Sequence, residues 1–252
     1  MIENASISIL IIQHEAYVKP GEYLRWARRR GIEPAFIRCW ESAAFPMPGI
    51  LPDLLIVLGG PQDPGTTRAE CPYYDAQAEM ELIRRCAAGG KMVVGACLGA
   101  QLMGQALGAR FSHSPEREVG PTPLRLTKAG RADPLLYAFP DRFIGGESHN
   151  DMAGLPEGSA VLAESDGCPR QIIRFGPYLY GLQTHLEFDR EIVAEILENI
   201  PDSLSEPEKH PFVQSREAIV GFDYSEMNAL LSSLLDALTE KWLARGETGE
   251  DK

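Results

Sequence analysis

Lys91-Met92-Val93-Val94-Gly95-Ala96-Cys97-Leu98-Gly99-Ala100-Gln101 is the stretch whose reading decides the fold. An apolar, β-branched run enters a glycine, meets a cysteine, then a second glycine, and a helical pattern follows at once to Leu107, stopped by Gly108. A strand turning this tightly into a helix is a nucleophile elbow: small flanking residues let the backbone pass close and leave the central side chain exposed. The helix start presents unpaired N–H groups and a partial positive charge. Such surroundings lower a thiol pKa, and the thiolate is the reactive form of cysteine. The Leu98 N–H then faces the carbonyl oxygen of a bound acyl group, half of an oxyanion hole. Taken alone, GxCxG fits a small buried cysteine equally well.

Working outward, apolar runs at 6–12, 35–39, 53–58 and 91–95 read as strands, and amphipathic stretches at 21–30, 75–88 and 98–107 as helices. Strands alternating with helices predict βαβ units. The expected fold class is α/β, with a mostly parallel central sheet and helices on both faces. From 111 to 188 the apolar runs shorten and Gly and Pro are frequent, so this half is expected to be β-rich and to complete the sheet before a helix at 190–199. The polar, proline-bearing segment 201–211 reads as a linker. Beyond it, Asp223 and Glu226 have capping-box spacing. Met227, Leu230, Leu231, Leu234, Leu235, Leu238 and Trp242 form one apolar stripe, expected to bury against the main domain. The division is therefore a domain over 1–200 and a linker with a helical C-terminal extension over 201–252.

Acidic residues outnumber basic ones by 36 to 24, a net charge of −12. Such a surface repels phosphate backbones and anionic lipid, so neither nucleic acid nor membrane is an expected partner. Arg25, Arg28, Arg29 and Arg30 read as a solvated helix face. The N-terminal apolar run is short, lacks a basic flank and reads as a first buried strand, which points to the cytoplasm. Five cysteines at irregular spacing, without a CxxC pair, indicate neither a disulfide framework nor a structural zinc site. Cys39, Cys71, Cys86 and Cys168 have no setting like that of Cys97.

A thiol nucleophile needs a base, and the base an orienting group. Gly181-Leu182-Gln183-Thr184-His185-Leu186-Glu187 offers both, because residues two apart on an extended strand share a face. His14, His113 and His210 lack a carboxylate at this spacing and read as surface or core histidines. Leu58-Gly59-Gly60-Pro61 ends a predicted parallel strand, where α/β proteins bind ligands. The Gly60 N–H is a candidate second oxyanion donor, and Gly59 lets backbone approach a substrate; a plain strand-ending turn is the alternative. Glu147-Ser148-His149-Asn150-Asp151 clusters polar groups that either recognise a polar ligand or form a turn.

Together, GACLGAQ at 95–101, GGP at 59–61, SHND at 148–151, GLQTHLE at 181–187 and the E-x-G stretch at 118–120 closely resemble the class I (triad-type) glutamine amidotransferase family over about 7–200. The sequence differs from that pattern at Thr184 and Leu186, where many members carry Phe and Pro, and at Pro121, where an aromatic residue often follows the E-x-G. The resemblance implies a flavodoxin-like architecture and a Cys97-His185-Glu187 triad, with Gly60 and Leu98 amides as the oxyanion hole. It further implies glutamyl binding by Gln101, Asn150 and Asp151, and needs neither cofactor nor metal. The implied substrate is glutamine or a γ-glutamyl small molecule. Ammonia release to a separate synthase subunit, stand-alone γ-glutamyl peptide hydrolysis and a non-catalytic binding role on the same fold remain as readings. The candidate partners are accordingly a synthase or a second copy of the chain.

Overall fold

The structure is a computed structural model and describes residues 7–42, 44–205 and 209–248. The predicted elements of the first hundred residues form as β1 (Ile9–Gln13), α1 (Glu22–Arg29), β2 (Ala35–Arg38), β3 (Leu54–Val57), α2 (Ala76–Ala88), β4 (Met92–Ala96) and α3 (Leu98–Ala106). Their ends are set by local chemistry. Asp75 starts α2 by accepting the Ala78 N–H at 3.1 Å, and Gly31, at φ 73°, reverses the chain after α1. Ser6, the predicted start of the first strand, lies outside the described residues.

The second half supplies β5 (Ser112–Leu126), α4 (Lys128–Ala132), β6 (Arg142–Met152), β7 (Ala160–Glu164), β8 (Ile172–Gly176), β9 (Leu179–Leu182) and α5 (Arg190–Asn199). The strand order is β5-β7-β8-β9-β4-β3-β1-β2, with β6 on β5. Pairing is parallel from β9 through β4, β3, β1 and β2, and antiparallel from β5 to β9. Strand β4, which leads into Cys97, thus sits mid-sheet, next to the strand that leads to His185.

Both faces of the parallel half are covered, which is why its strands read as continuous apolar runs. Ile9, Ile11, Leu54, Ile56, Met92 and Val94 meet Tyr23, Trp26 and Ala27 of α1. Leu10, Ile12, Leu55, Val57 and Val93 meet α2 and α3 on the opposite face.

After a short strand β10 (Phe212–Val213) and α6 (Arg216–Gly221), the chain ends in α7 (Ser225–Thr248). The α7 leucines are buried in the core that includes α1, and Trp242 donates to the Gly90 carbonyl at 2.8 Å. Two local expectations change. The helix begins at Ser225, and Asp223 accepts the Ser225 N–H at 3.0 Å, so Asp223 stands too early to form the capping box with Glu226. The α1 arginines are not simply solvated: Arg25 bonds Asn228, Arg29 bonds Ser232 and Arg30 bonds Asp236, all on α7. Among the described residues, no helix is long and apolar enough to cross a membrane.

Leu234 is fully buried between α7 and the sheet. Leu234→Ala is expected to lower the unfolding free energy by about 2–5 kcal/mol, read from urea denaturation of the full chain.

Candidate active site

Cys97 stands between β4 and α3 at φ 49°, the only non-glycine among the described residues with a positive φ. Its neighbours explain how such a backbone is held. A Cβ on Gly95 would lie 2.4 Å from the Gly99 carbonyl carbon, and a Cβ on Gly99 would lie 2.1 Å from the Val57 oxygen. Neither position accepts a side chain without moving backbone. The Cys97 N–H donates to Leu182 O at 2.7 Å, and its carbonyl accepts from Gln101 N at 3.1 Å, so both sides of the strained residue are fixed.

His185 Nδ1 lies 2.6 Å from Glu187 Oε1, which leaves Nε2 unengaged by Glu187, and the neighbouring Cys97 adds to the upward pull on the ring's pKa. Gly59 shows the convergence independently: a Cβ there would meet His185 Cε1 at 3.1 Å and Cys97 Cβ at 3.4 Å. The expected strand placement of His185 and Glu187 needs correction. β9 ends at Leu182, and His185 continues as an isolated bridge to Gly146 of β6, exchanging hydrogen bonds of 2.7 and 3.0 Å. Four contacts then hold the loop. Gly146 donates to the His185 carbonyl, Glu22 N to that of Glu187 at 3.1 Å, and the Asn228 amide to those of Leu186 and Phe188 at 2.8 and 3.0 Å. The Phe188 ring stacks on His185, with centroids 4.1 Å apart.

Burial disfavours charge on the His185 ring, but the Glu187 carboxylate and the hydrogen bonds to Cys97 and Glu187 outweigh it and push the pKa up to about 10. A proton held at this position can be handed to a departing amine. The other cysteines lack this setting: burial raises the thiol pKa at Cys39 and Cys168, and to about 11 at Cys86.

Cys97 and His185 line a cavity of about 390 Å³, within the range of small-molecule sites. Gly60, Gln101, Asn150 and Asp151 also line it, whereas Leu98 lies beneath, at the first position of α3. Two of the expected binding side chains are already engaged. Asp151 accepts from the exposed His113 at 2.5 Å, and Gln101 donates at 3.3 Å to Gln183, whose own amide reaches the Cys97 sulfur at 3.3 Å. The polar cluster at 147–151 turns inward at His149, which is buried 2.9 Å from Glu147 Oε2 and 3.4 Å from Glu118 Oε2. Burial opposes a charge on this ring, but the two carboxylates outweigh it and hold the pKa well above the ordinary range. Among the described residues, His14, Cys39 and Glu79 form one buried group of metal-type donors, and Glu118, His149 and Cys168 a second. In each, the histidine is paired with the carboxylate.

Residues 23–200 match the family model for glutamine amidotransferase class-I. The chain belongs to this family. The glutamine amidotransferase-like protein YfeJ of Salmonella typhimurium is 42% identical over 90% of this chain and 95% of its own length. The crystal structure of SMU.1228c is 46% identical, with a TM-score of 0.90 over 92% of this chain and 100% of that one. A glutamine-hydrolyzing GMP synthase of Thermosipho africanus is 28% identical over 68% of this chain but only 31% of its own length. The amidotransferase-like part therefore accounts for under a third of that synthase.

Sequence reading did not find His14–Glu79, Gln183 or Asn228 at this class-I site. Only Asn228 left a signal, a polar residue beside the α7 stripe. The raised His185 pKa stabilises the folded state fully below the unfolded value near 6.5, and that contribution fades as pH rises through about 10. Glu187→Gln is expected to lower the ring's titration midpoint in imidazole NMR. Its stability deficit, from urea midpoints, should shrink between pH 6.5 and pH 10.

Proposed function

We propose that the chain hydrolyses the γ-carboxamide of glutamine through a γ-glutamyl thioester on Cys97. The observation that carries this reading is the strained Cys97 beside a His185 ring paired with a buried carboxylate, at the wall of a small-molecule cavity in a class-I amidotransferase. Cys97 Sγ gives its proton to His185 Nε2 and forms a bond to the amide carbon, and the carbonyl electron pair moves to oxygen, which the Gly60 and Leu98 N–H groups receive. His185 passes its Nε2 proton to the leaving nitrogen, the C–N bond breaks, and ammonia departs. The ring then takes a proton from water, hydroxide adds to the thioester carbon, and collapse returns the electron pair and proton to sulfur, releasing glutamate. Glu187 holds the His185 ring throughout. Gln101 acts through Gln183 on the sulfur side, while Asn150 and Asp151 line the same cavity.

The likeness to YfeJ, named a glutamine amidotransferase-like protein, supports the glutaminase reading. The GMP synthase likeness supports a second reading, ammonia delivery to a separate synthase. Cytoplasmic residence fits either.

The test is to incubate the isolated chain with glutamine and with γ-glutamyl dipeptides while following ammonia and glutamate. Glutamine is expected to release ammonia, and Cys97→Ser to abolish turnover while leaving the melting temperature within a few degrees. Dipeptide cleavage without glutaminase activity would establish the γ-glutamyl hydrolase instead. Full activity in Cys97→Ser would remove Cys97 as the nucleophile.

A further inference from the structure

His14 and Glu79 form a buried titratable pair that this mechanism leaves unused. Both side chains are fully inaccessible. His14 Nδ1 lies 2.9 Å from the Gly59 carbonyl oxygen, and Nε2 lies 2.9 Å from Glu79 Oε2. A carbonyl only accepts, so Nδ1 carries a proton. Glu79 meets Nε2 either as a carboxylate facing an imidazolium or as an acid facing a lone pair, and both arrangements keep the Nδ1–H. The other Glu79 oxygen accepts from Cys39 at 3.9 Å, and Tyr74 packs edge-on to the ring at 5.8 Å. The ring is therefore held at both nitrogens.

The bond to Gly59 matters because of the peptide it fixes. The Gly59–Gly60 bond is trans, so the Gly60 N–H points opposite to the Gly59 carbonyl. Crowding demands both glycines. A Cβ at Gly59 would press on His185 and Cys97, and one at Gly60 would lie 2.5 Å from Gln62 Oε1 and 3.0 Å from His14 Cβ. Yet a peptide with glycine on both sides has no Cβ to resist rotation. Something else must choose its orientation.

We propose that the His14–Glu79 pair is a positioning device: by binding the Gly59 carbonyl, it holds the Gly60 N–H toward the acyl oxygen and keeps the oxyanion hole assembled before substrate arrives. The proposal rests on the thioester reading of the site. Its burial and geometry are backed by charge, since Glu79 outweighs the cost of burial and raises the His14 pKa.

Two variants separate positioning from stability. In His14→Asn the amide nitrogen takes the place of Nδ1 and keeps the Gly59 bond, but leaves Glu79 without its partner. In His14→Gln the longer side chain reaches Glu79 and abandons Gly59. The readout is acylation of Cys97 by p-nitrophenyl acetate, which needs no glutamyl pocket, beside alkylation by iodoacetamide, which needs no oxyanion hole. Acylation is expected to fall by on the order of 10²–10³-fold in His14→Gln, the loss of one oxyanion donor, and by less than about ten-fold in His14→Asn. Alkylation should be alike in all three proteins, and His14→Asn should melt lower than His14→Gln. The proposal is overturned if acylation follows melting temperature, if His14→Gln acylates as fast as the parent, or if the parent thiol alkylates but never acylates. Glutamine turnover is measured separately. Its absence from a parent that acylates normally would defeat the glutaminase reading and leave the positioning role standing.

Discussion

The site depends on one backbone constraint, the left-handed turn at Cys97. A side chain in that region costs on the order of 1–3 kcal/mol and persists only where the surroundings over-determine it. Here the surroundings are backbone itself: the α3 turn at Gly99 against Val57 on one side, and the Leu182 carbonyl on the other. The parallel core of β3, β4 and β9 supplies the rigidity, with apolar side chains buried on both faces. The turn therefore draws its stability from the sheet, and the direction of the Cys97 side chain toward the cavity follows from the turn.

Around that turn, charge is managed by pairing at depth. His185 with Glu187, His14 with Glu79, and His149 with Glu118 and Glu147 are all buried. Each pair fixes a ring orientation that an isolated histidine would not keep. The three differ in what they face. His185 meets the sulfur, His14 meets a backbone carbonyl beneath the cavity wall, and His149 meets a second carboxylate.

The parallel half of the fold was legible because β1, β3 and β4 are buried on both faces and therefore read as unbroken apolar runs. Gly95 and Gly99 announced the turn because only glycine fits there. His185 and Glu187 could be paired from spacing alone, although the strand argument that paired them was not the geometry that holds them; the loop past Leu182 is bound by β6, α1 and α7. His14 and Glu79 stood apart because 65 positions separate them, and only the packing of β1 against α2 brings them together. Asp223 failed as a cap for a smaller reason, a helix start one residue later than the pattern suggested.

Asn228 ties two carbonyls of the loop that carries Glu187, and it lies more than a hundred positions beyond Cys97. During translation, Cys97 therefore emerges from the ribosome long before the residue that ties the loop carrying His185 and Glu187. Until α7 has been made and docked, a nascent chain carries Cys97 without the two Asn228 bonds that tie the loop bearing Glu187.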